Sequence, residues 1–257
     1  MTLRAVLFDI DDTLYGSTAF AAQARRRAVE AMVQAGLDSP VDAAYAELQE
    51  VVREYTSNHG HHFDKLVVRL GDRLRPGVHR GIVIAAGVCA YHATKEHLAP
   101  FPDATRALEA LARTDLLRGV LTNGLTVKQS EKLVRLGLQN AFSPGAIFIS
   151  EEMKVAKPHR DIFHRACASL GVRPAEALYV GDSPKKDIDP AHEAGLVTCL
   201  RRGQGSHAGE VAVHPPDLAV DSLDDLIVHL REGLGVRFDP KPLLRARGDR
   251  GSWGAAV

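Results

Sequence analysis

The stretch Val6-Leu7-Phe8-Asp9-Ile10-Asp11-Asp12-Thr13-Leu14 is an apolar run that passes directly into aspartates spaced by one residue. It reads as a buried strand over residues 4–9 that ends in a carboxylate pair. In a parallel sheet, ligands gather at the carboxyl ends of the strands. Asp is rarely buried without a partner, so charge held at such an end implies chemistry or a cation. An isolated D-x-D-x-T is equally compatible with an acidic loop after a strand. The rest of the chain has to decide between the two.

Downstream of this stretch the pattern is helical. Ser17 and Thr18 can cap a helix starting near Ala19, in which Phe20, Ala24, Ala28, Ala31 and Met32 repeat at helical spacing up to Gly36. Pro40 and Asp42 open a second helix with Leu48, Val51, Val52 and Tyr55 on one face. A break at Ser57-Asn58-His59-Gly60 precedes a third helix over 62–70, and a fourth is expected over 78–98, stopped by Pro100. From Phe101 the chain alternates. Strands are expected at 118–122, 146–149, 177–182, 197–200 and 218–220, with helices at 103–112, 127–136, 160–170, 184–194 and 222–234. Strands alternating with helices of this length imply βαβ units and a parallel sheet. The residues from Phe238 on, with Arg245, Arg247 and Arg250, lack periodicity and read as a loose extension.

The bulk properties exclude several classes. The 257 residues contain 45% hydrophobic and 25% charged residues, an ordinary globular balance. Lys+Arg and Asp+Glu both number 32, which argues against a general binder of nucleic acid or of anionic membrane. Cys89, Cys167 and Cys199 are odd in number and widely spaced, without a C-x-x-C pair; a reduced, cytoplasmic setting fits them better than a disulfide framework. The first strand follows Met1-Thr2-Leu3-Arg4 directly, so no signal peptide is expected, and the apolar stretch 81–90 is too short to span a bilayer.

Four of the strand-like runs are followed by polar residues: Asp9 and Asp11; Thr122 and Asn123; Lys157; and Asp182 with Asp187 five residues on. Singly, each has a bland reading as a helix cap or a surface turn. Together, in a parallel sheet, they converge on one edge. The chain here resembles the haloacid dehalogenase superfamily. Its four motifs are matched by Asp9-Ile10-Asp11-Asp12-Thr13, by Thr122-Asn123-Gly124, by Lys157-Pro158, and by Gly181-Asp182-Ser183 through Asp187, over residues 4 to 235. The resemblance implies an α/β fold: a Rossmann-like parallel sheet core flanked by helices (residues 1–15 and 100–235), with an all-helical C1 cap inserted after the first strand (16–99). A C-terminal extension (236–257) would follow.

It also implies a phosphatase. Asp9 would be the nucleophile, forming an aspartyl-phosphate. Asp11 would protonate the leaving alkoxide and later take a proton from the hydrolytic water. Lys157, the Thr122 hydroxyl and the main-chain N–H groups of Asn123 and Gly124 would hold the transferring phosphoryl group. Thr13 would tie down the loop. So much negative charge beside an anionic substrate calls for a hard divalent cation, Mg²⁺. By resemblance, Asp9 and Asp182 bind it through side chains, Asp11 through its main-chain carbonyl, and Asp187 through water or by orienting the others.

Asp11 also bears on the reaction type. A halide leaves without a proton, and the dehalogenases of the superfamily resemble one another in lacking an acid two residues after the nucleophile. Asp11 therefore favours phosphoryl transfer over 2-haloacid dehalogenation, while a phosphomutase would use the same residues. The expected substrate is a small phosphorylated metabolite such as phosphoglycolate, a triose phosphate or a sugar phosphate, and neither nucleic acid nor membrane. The expected assembly is a monomer or a homodimer. Asn58, His61 and His62, in the loop between the second and third cap helices, are candidates for contact with the leaving group; the same residues also read as an exposed polar turn.

Overall fold

The computed structural model describes residues 2–55, 60–203 and 205–239. The chain divides into two compact units, residues 19–98 and the remainder on either side of them.

The larger unit is built on six parallel strands: β1 (Ala5–Phe8), β2 (Leu117–Thr122), β3 (Ile147–Ile149), β4 (Ala177–Gly181), β5 (Val197–Arg201) and β6 (Leu218–Val220). Their order across the sheet is β3-β2-β1-β4-β5-β6. Every residue of β1 and β4 is buried, as expected for central strands covered on both faces. The sheet sits among the helices α5 (Pro102–Leu111), α6 (Thr126–Arg135), α8 (Asp161–Ser169) and α10 (Leu223–Glu232), with the short α7 (Ser150–Met153) and α9 (Asp189–Glu193) between them. Leu7, Leu121, Phe148, Ile162, Phe163 and Tyr179 form one continuous core.

Register places the site. Phe8 pairs with Val120 on one side and with Val180 on the other. The Asp9 N–H extends the ladder to the Val180 carbonyl at 2.9 Å. Asp9, Thr122 and Asp182, residues far apart in sequence, therefore leave the sheet at the same edge.

The smaller unit is helical: most of α1 (Ser17–Gln34), then α2 (Val41–Tyr55), α3 (His62–Arg69) and α4 (Arg80–Thr94), with a 3₁₀ turn at Lys95–His97. Val29, Met32, Leu37, Leu48, Leu66 and Val83 form its own core. Among the described residues no helix is long and apolar enough to cross a membrane. The three cysteines are free thiols.

Some elements differ from their sequence reading, and the short α7 is not among those expected. The helix expected over 184–194 is two pieces, a wide turn at Pro184–Ile188 followed by α9. Pro190 lacks the N–H that would bond back across that junction. The fourth helix stops at Thr94, whose hydroxyl donates to the Ala90 carbonyl (2.9 Å), a back-bond that loosens a helix end. The start of α1 is satisfied from outside: the Thr18 N–H donates to Asp12 Oδ1 (3.0 Å), with Asp12 in the left-handed region at φ 53°. Residues 240–257 of the expected extension lie outside the described residues.

Candidate active site

Asp9 sits one residue past β1 and is buried. Its Oδ1 lies 2.9 Å from Lys157 Nζ, an ion pair off the line of a hydrogen bond. The same ammonium donates to Asp187 Oδ1 at 2.6 Å and to the Tyr179 hydroxyl at 2.8 Å. That hydroxyl has two acceptors for its own proton, the Leu121 carbonyl (2.9 Å) and Asp187 Oδ1 (3.2 Å). Tyr179 is held edge-on against Phe163 in the core. Lys157 is thus seated in a rigid socket.

Asn123 holds it from the other side. Asn123 Oδ1 accepts the Lys157 N–H at 2.8 Å, and Asn123 Nδ2 donates to the Lys157 carbonyl at 2.7 Å. The main chain of Lys157 itself is therefore pinned to the end of β2 by a side chain that reaches across 34 residues. Thr122 is buried at the last position of β2. The Gly124 N–H donates to Ser150 Oγ at 2.9 Å. Gly124 has φ +147°, and a Cβ there would come within 2.4 Å of Gln129 Nε2, so this turn requires glycine.

Asp187 is anchored through both oxygens, since Oδ2 accepts the Ser183 N–H at 3.0 Å. It packs on Gly181, where a Cβ would lie 2.5 Å from the Asp187 carboxyl. The wide turn at Pro184–Ile188 brings it there, so the irregular helix start and the buried carboxylate are one feature.

Oxygens of Asp9, Asp182 and Asp187 all lie within 4.8 Å of one another. Lys157 is the ammonium among these carboxylates, so negative charge is in excess. The electrostatics reflect this. Burial, and after it Asp187 and Asp9, push Asp182 up to about 8. Burial raises Asp9 to about 6, although Lys157 pulls the other way. Burial alone would lower the Lys157 ammonium, but Asp187 and Asp9 outweigh it and hold it above its ordinary range. An all-oxygen set of three carboxylates with surplus negative charge fits a hard divalent cation.

Asp11 is not one of the three clustered carboxylates, although its charge reaches Asp9. Both of its carboxylate oxygens lie 2.7 Å from Lys132 Nζ, on α6, and Oδ1 also accepts from the Tyr15 hydroxyl at 2.9 Å. The Thr13 carbonyl accepts from buried Arg201, which is ion-paired with Asp103 at 2.8 Å. The loop after β1 is therefore tied down by a main-chain oxygen; the Thr13 hydroxyl is buried without a hydrogen bond.

The structure brings Asp9, Lys157, Asp182 and Asp187 into one cluster, with Thr122 and Asn123 on the adjoining strand end. His61 and His62 belong to the helical unit, where His61 is exposed and lies 3.7 Å from Asp64. Asn58 lies outside the described residues. Sequence reading missed Tyr179, Lys132 and the Arg201–Asp103 pair. Tyr179 had a detectable sign, a hydroxyl in the middle of an otherwise apolar strand, which needs a partner once buried.

Residues 3–195 match the family model described as haloacid dehalogenase-like hydrolase. The chain is 48% identical over 206 residues to the glyceraldehyde 3-phosphate phosphatase of Methanopyrus kandleri, covering 79% of this chain and 85% of that protein. Among solved structures, a HAD phosphatase from Thermococcus onnurineus aligns with TM-score 0.63 and 24% identity, over 92% of this chain and 100% of its own. The L-2-haloacid dehalogenase of Xanthobacter autotrophicus aligns with TM-score 0.60 and 23% identity, over 90% and 99%. These structural likenesses establish the fold and do not separate the two chemistries.

Proposed function

The chain belongs to the haloacid dehalogenase-like hydrolases, and from that premise we propose that it hydrolyses the phosphoric monoester of a small metabolite through a phosphorylated Asp9. The 48% identity to a glyceraldehyde 3-phosphate phosphatase supports this reaction class and makes glyceraldehyde 3-phosphate the first substrate to test.

The Asp9 carboxylate attacks phosphorus, and the bond from phosphorus to the leaving oxygen breaks. Asp11 gives the departing alkoxide its proton. In the second half-reaction, Asp11 takes a proton from the water that attacks the aspartyl-phosphate, and inorganic phosphate is released. Lys157 compensates charge on Asp9 and on the phosphoryl oxygens. The Thr122 hydroxyl and the Asn123 N–H donate to those oxygens, beside the positive end of α6. Gly124 serves the same turn through its backbone conformation, its N–H being engaged by Ser150. Asp9 and Asp182, with the Asp11 carbonyl, would hold Mg²⁺, and Asp187 would orient them or reach the ion through water. When bound, the ion neutralises the carboxylates and the charge on the transferring group.

The observation that carries this reading is the second carboxylate, Asp11, two residues beyond the nucleophile. An alkoxide requires a proton donor and a halide does not. The test is a panel of phosphorylated metabolites with Mg²⁺, glyceraldehyde 3-phosphate and phosphoglycolate included, run beside Asp9→Asn. Phosphate release by the wild type and its loss in Asp9→Asn are expected. Turnover that survives Asp9→Asn, or halide release from 2-chloropropionate without phosphate release from any ester, overturns the proposal.

A further inference from the structure

We propose that Lys132 is the positioning residue for Asp11, fixing its carboxylate in the orientation that meets the leaving group; this rests on the reading of Asp11 as the proton donor. Lys132 Nζ is equidistant, at 2.7 Å, from the two Asp11 oxygens. The Tyr15 hydroxyl supplies a further donor to Oδ1 at 2.9 Å, and the ammonium lies 6.0 Å from the Tyr15 ring centroid. Three polar contacts converge on a carboxylate that would otherwise stand on a loop with several rotamers open to it.

The pair differs from an ordinary surface salt bridge. Exposed pairs are loosely held and contribute little. Here the side chains are only 25% and 34% exposed, and the residues are 121 positions apart. Their meeting depends on β1 and β2 being neighbours in the sheet.

The placement of Lys132 on α6 adds a second link. Gln129, three residues earlier and so on the same helix face, donates from Nε2 to the Asn123 carbonyl at 2.7 Å. One helical turn thereby holds both the phosphate-side loop after β2 and the acid after β1. A shift of α6 would move the two together. Misplacement of a reacting group by about 1 Å lowers rates by about a hundredfold, so this shared support bears directly on turnover.

The test compares two esters, because a positioning role for the acid depends on the leaving group. Glyceraldehyde 3-phosphate expels an alkoxide that needs a proton, whereas p-nitrophenyl phosphate expels a stabilised phenolate. Values of kcat/KM are compared because they report the steps up to enzyme phosphorylation. Lys132→Met is expected to lower kcat/KM for glyceraldehyde 3-phosphate about tenfold or more and that for p-nitrophenyl phosphate less than about threefold. Lys132→Arg, whose guanidinium fork also matches a carboxylate, is expected to recover most of the loss. Asp11→Asn is run in parallel. If Asp11→Asn shows the split between esters and Lys132→Met does not, the positioning role is overturned while the acid stands. If Asp11→Asn affects both esters equally, the reading of the acid falls and the inference with it. Equal loss on both esters in Lys132→Met, or a rise in KM alone, also refutes the inference.

Discussion

Replacing Lys157 by methionine tests the charge balance on which the site depends. The Lys157 side chain is 3% exposed, and its ammonium is 2.9 Å from Asp9 and 2.6 Å from Asp187. Methionine fills similar space but leaves two buried carboxylates facing each other without a cation. Removing one partner of a buried ion pair costs about 3–5 kcal/mol. In a chain of this size, that lowers the thermal midpoint by about 6–20 °C. The loss also has a predictable pH dependence. Lys157 titrates above its ordinary range, so its own contribution is full below that range and stays constant from pH 5 to 8. Asp9 behaves in the opposite way. Its folded value, about 6, lies above the unfolded 3.8, so its ionisation subtracts stability as pH rises through that interval, by up to about 1.4 kcal/mol per pH unit. Without the ammonium that opposes this rise, the interval extends upward. The deficit of Lys157→Met against wild type is therefore smallest near pH 5 and grows toward pH 8. Thermal melts of the metal-free proteins across that range read it directly, and Lys157→Met/Asp187→Asn is expected to recover part of the loss. A midpoint within about 3 °C of wild type at pH 8, or a deficit that shrinks as pH rises, would refute the assignment of Lys157 as the buried counter-charge.

Mg²⁺ affinity should rise with pH between 6 and 8, because the ion must displace protons from a carboxyl pushed up to about 8 at Asp182. About tenfold per pH unit is expected for each proton displaced, read by calorimetric titration in buffers of different ionisation heat; equal affinity at pH 6 and 8 contradicts it. Asn123→Ala removes both hydrogen bonds that pin the Lys157 main chain. Its kcat is expected to fall about tenfold with a smaller change in KM, and an unchanged kcat would show that Lys157 is held by its ion pairs alone. Arg201→Met leaves Asp103 buried without its partner and is expected to cost about 3–5 kcal/mol in urea denaturation. Arg201→Met/Asp103→Leu should regain most of that; an equal loss in the single and double variants would deny the pair its role.

Much of this molecule is written in short-range pattern. The first strand, Ala5–Phe8 where 4–9 is expected, and the aspartate just past it are legible because a buried strand needs consecutive apolar residues and ends where a carboxylate begins. The same holds for Thr122 and Asp182, each at or just past the last residue of an apolar run. The periodicity at 184–194 predicts one continuous helix, whereas Pro190 and the buried Asp187 impose a wide turn first. Gly124 was expected to offer its N–H to a phosphate; Ser150, at the end of a different strand, takes it.

From its own order, then, the chain determines that strands and helices alternate and that their polar ends carry carboxylates, an amide, a hydroxyl and a lysine, because side-chain periodicity is a local property. Which of those groups touch was decided by folding. Lys132 with Asp11, Asn123 with Lys157, and Arg201 with Thr13 and Asp103 join residues from 34 to 188 positions apart. No spacing in a linear chain encodes such contacts. They follow from the sheet order β3-β2-β1-β4-β5-β6, which sets strand ends from distant parts of the sequence side by side.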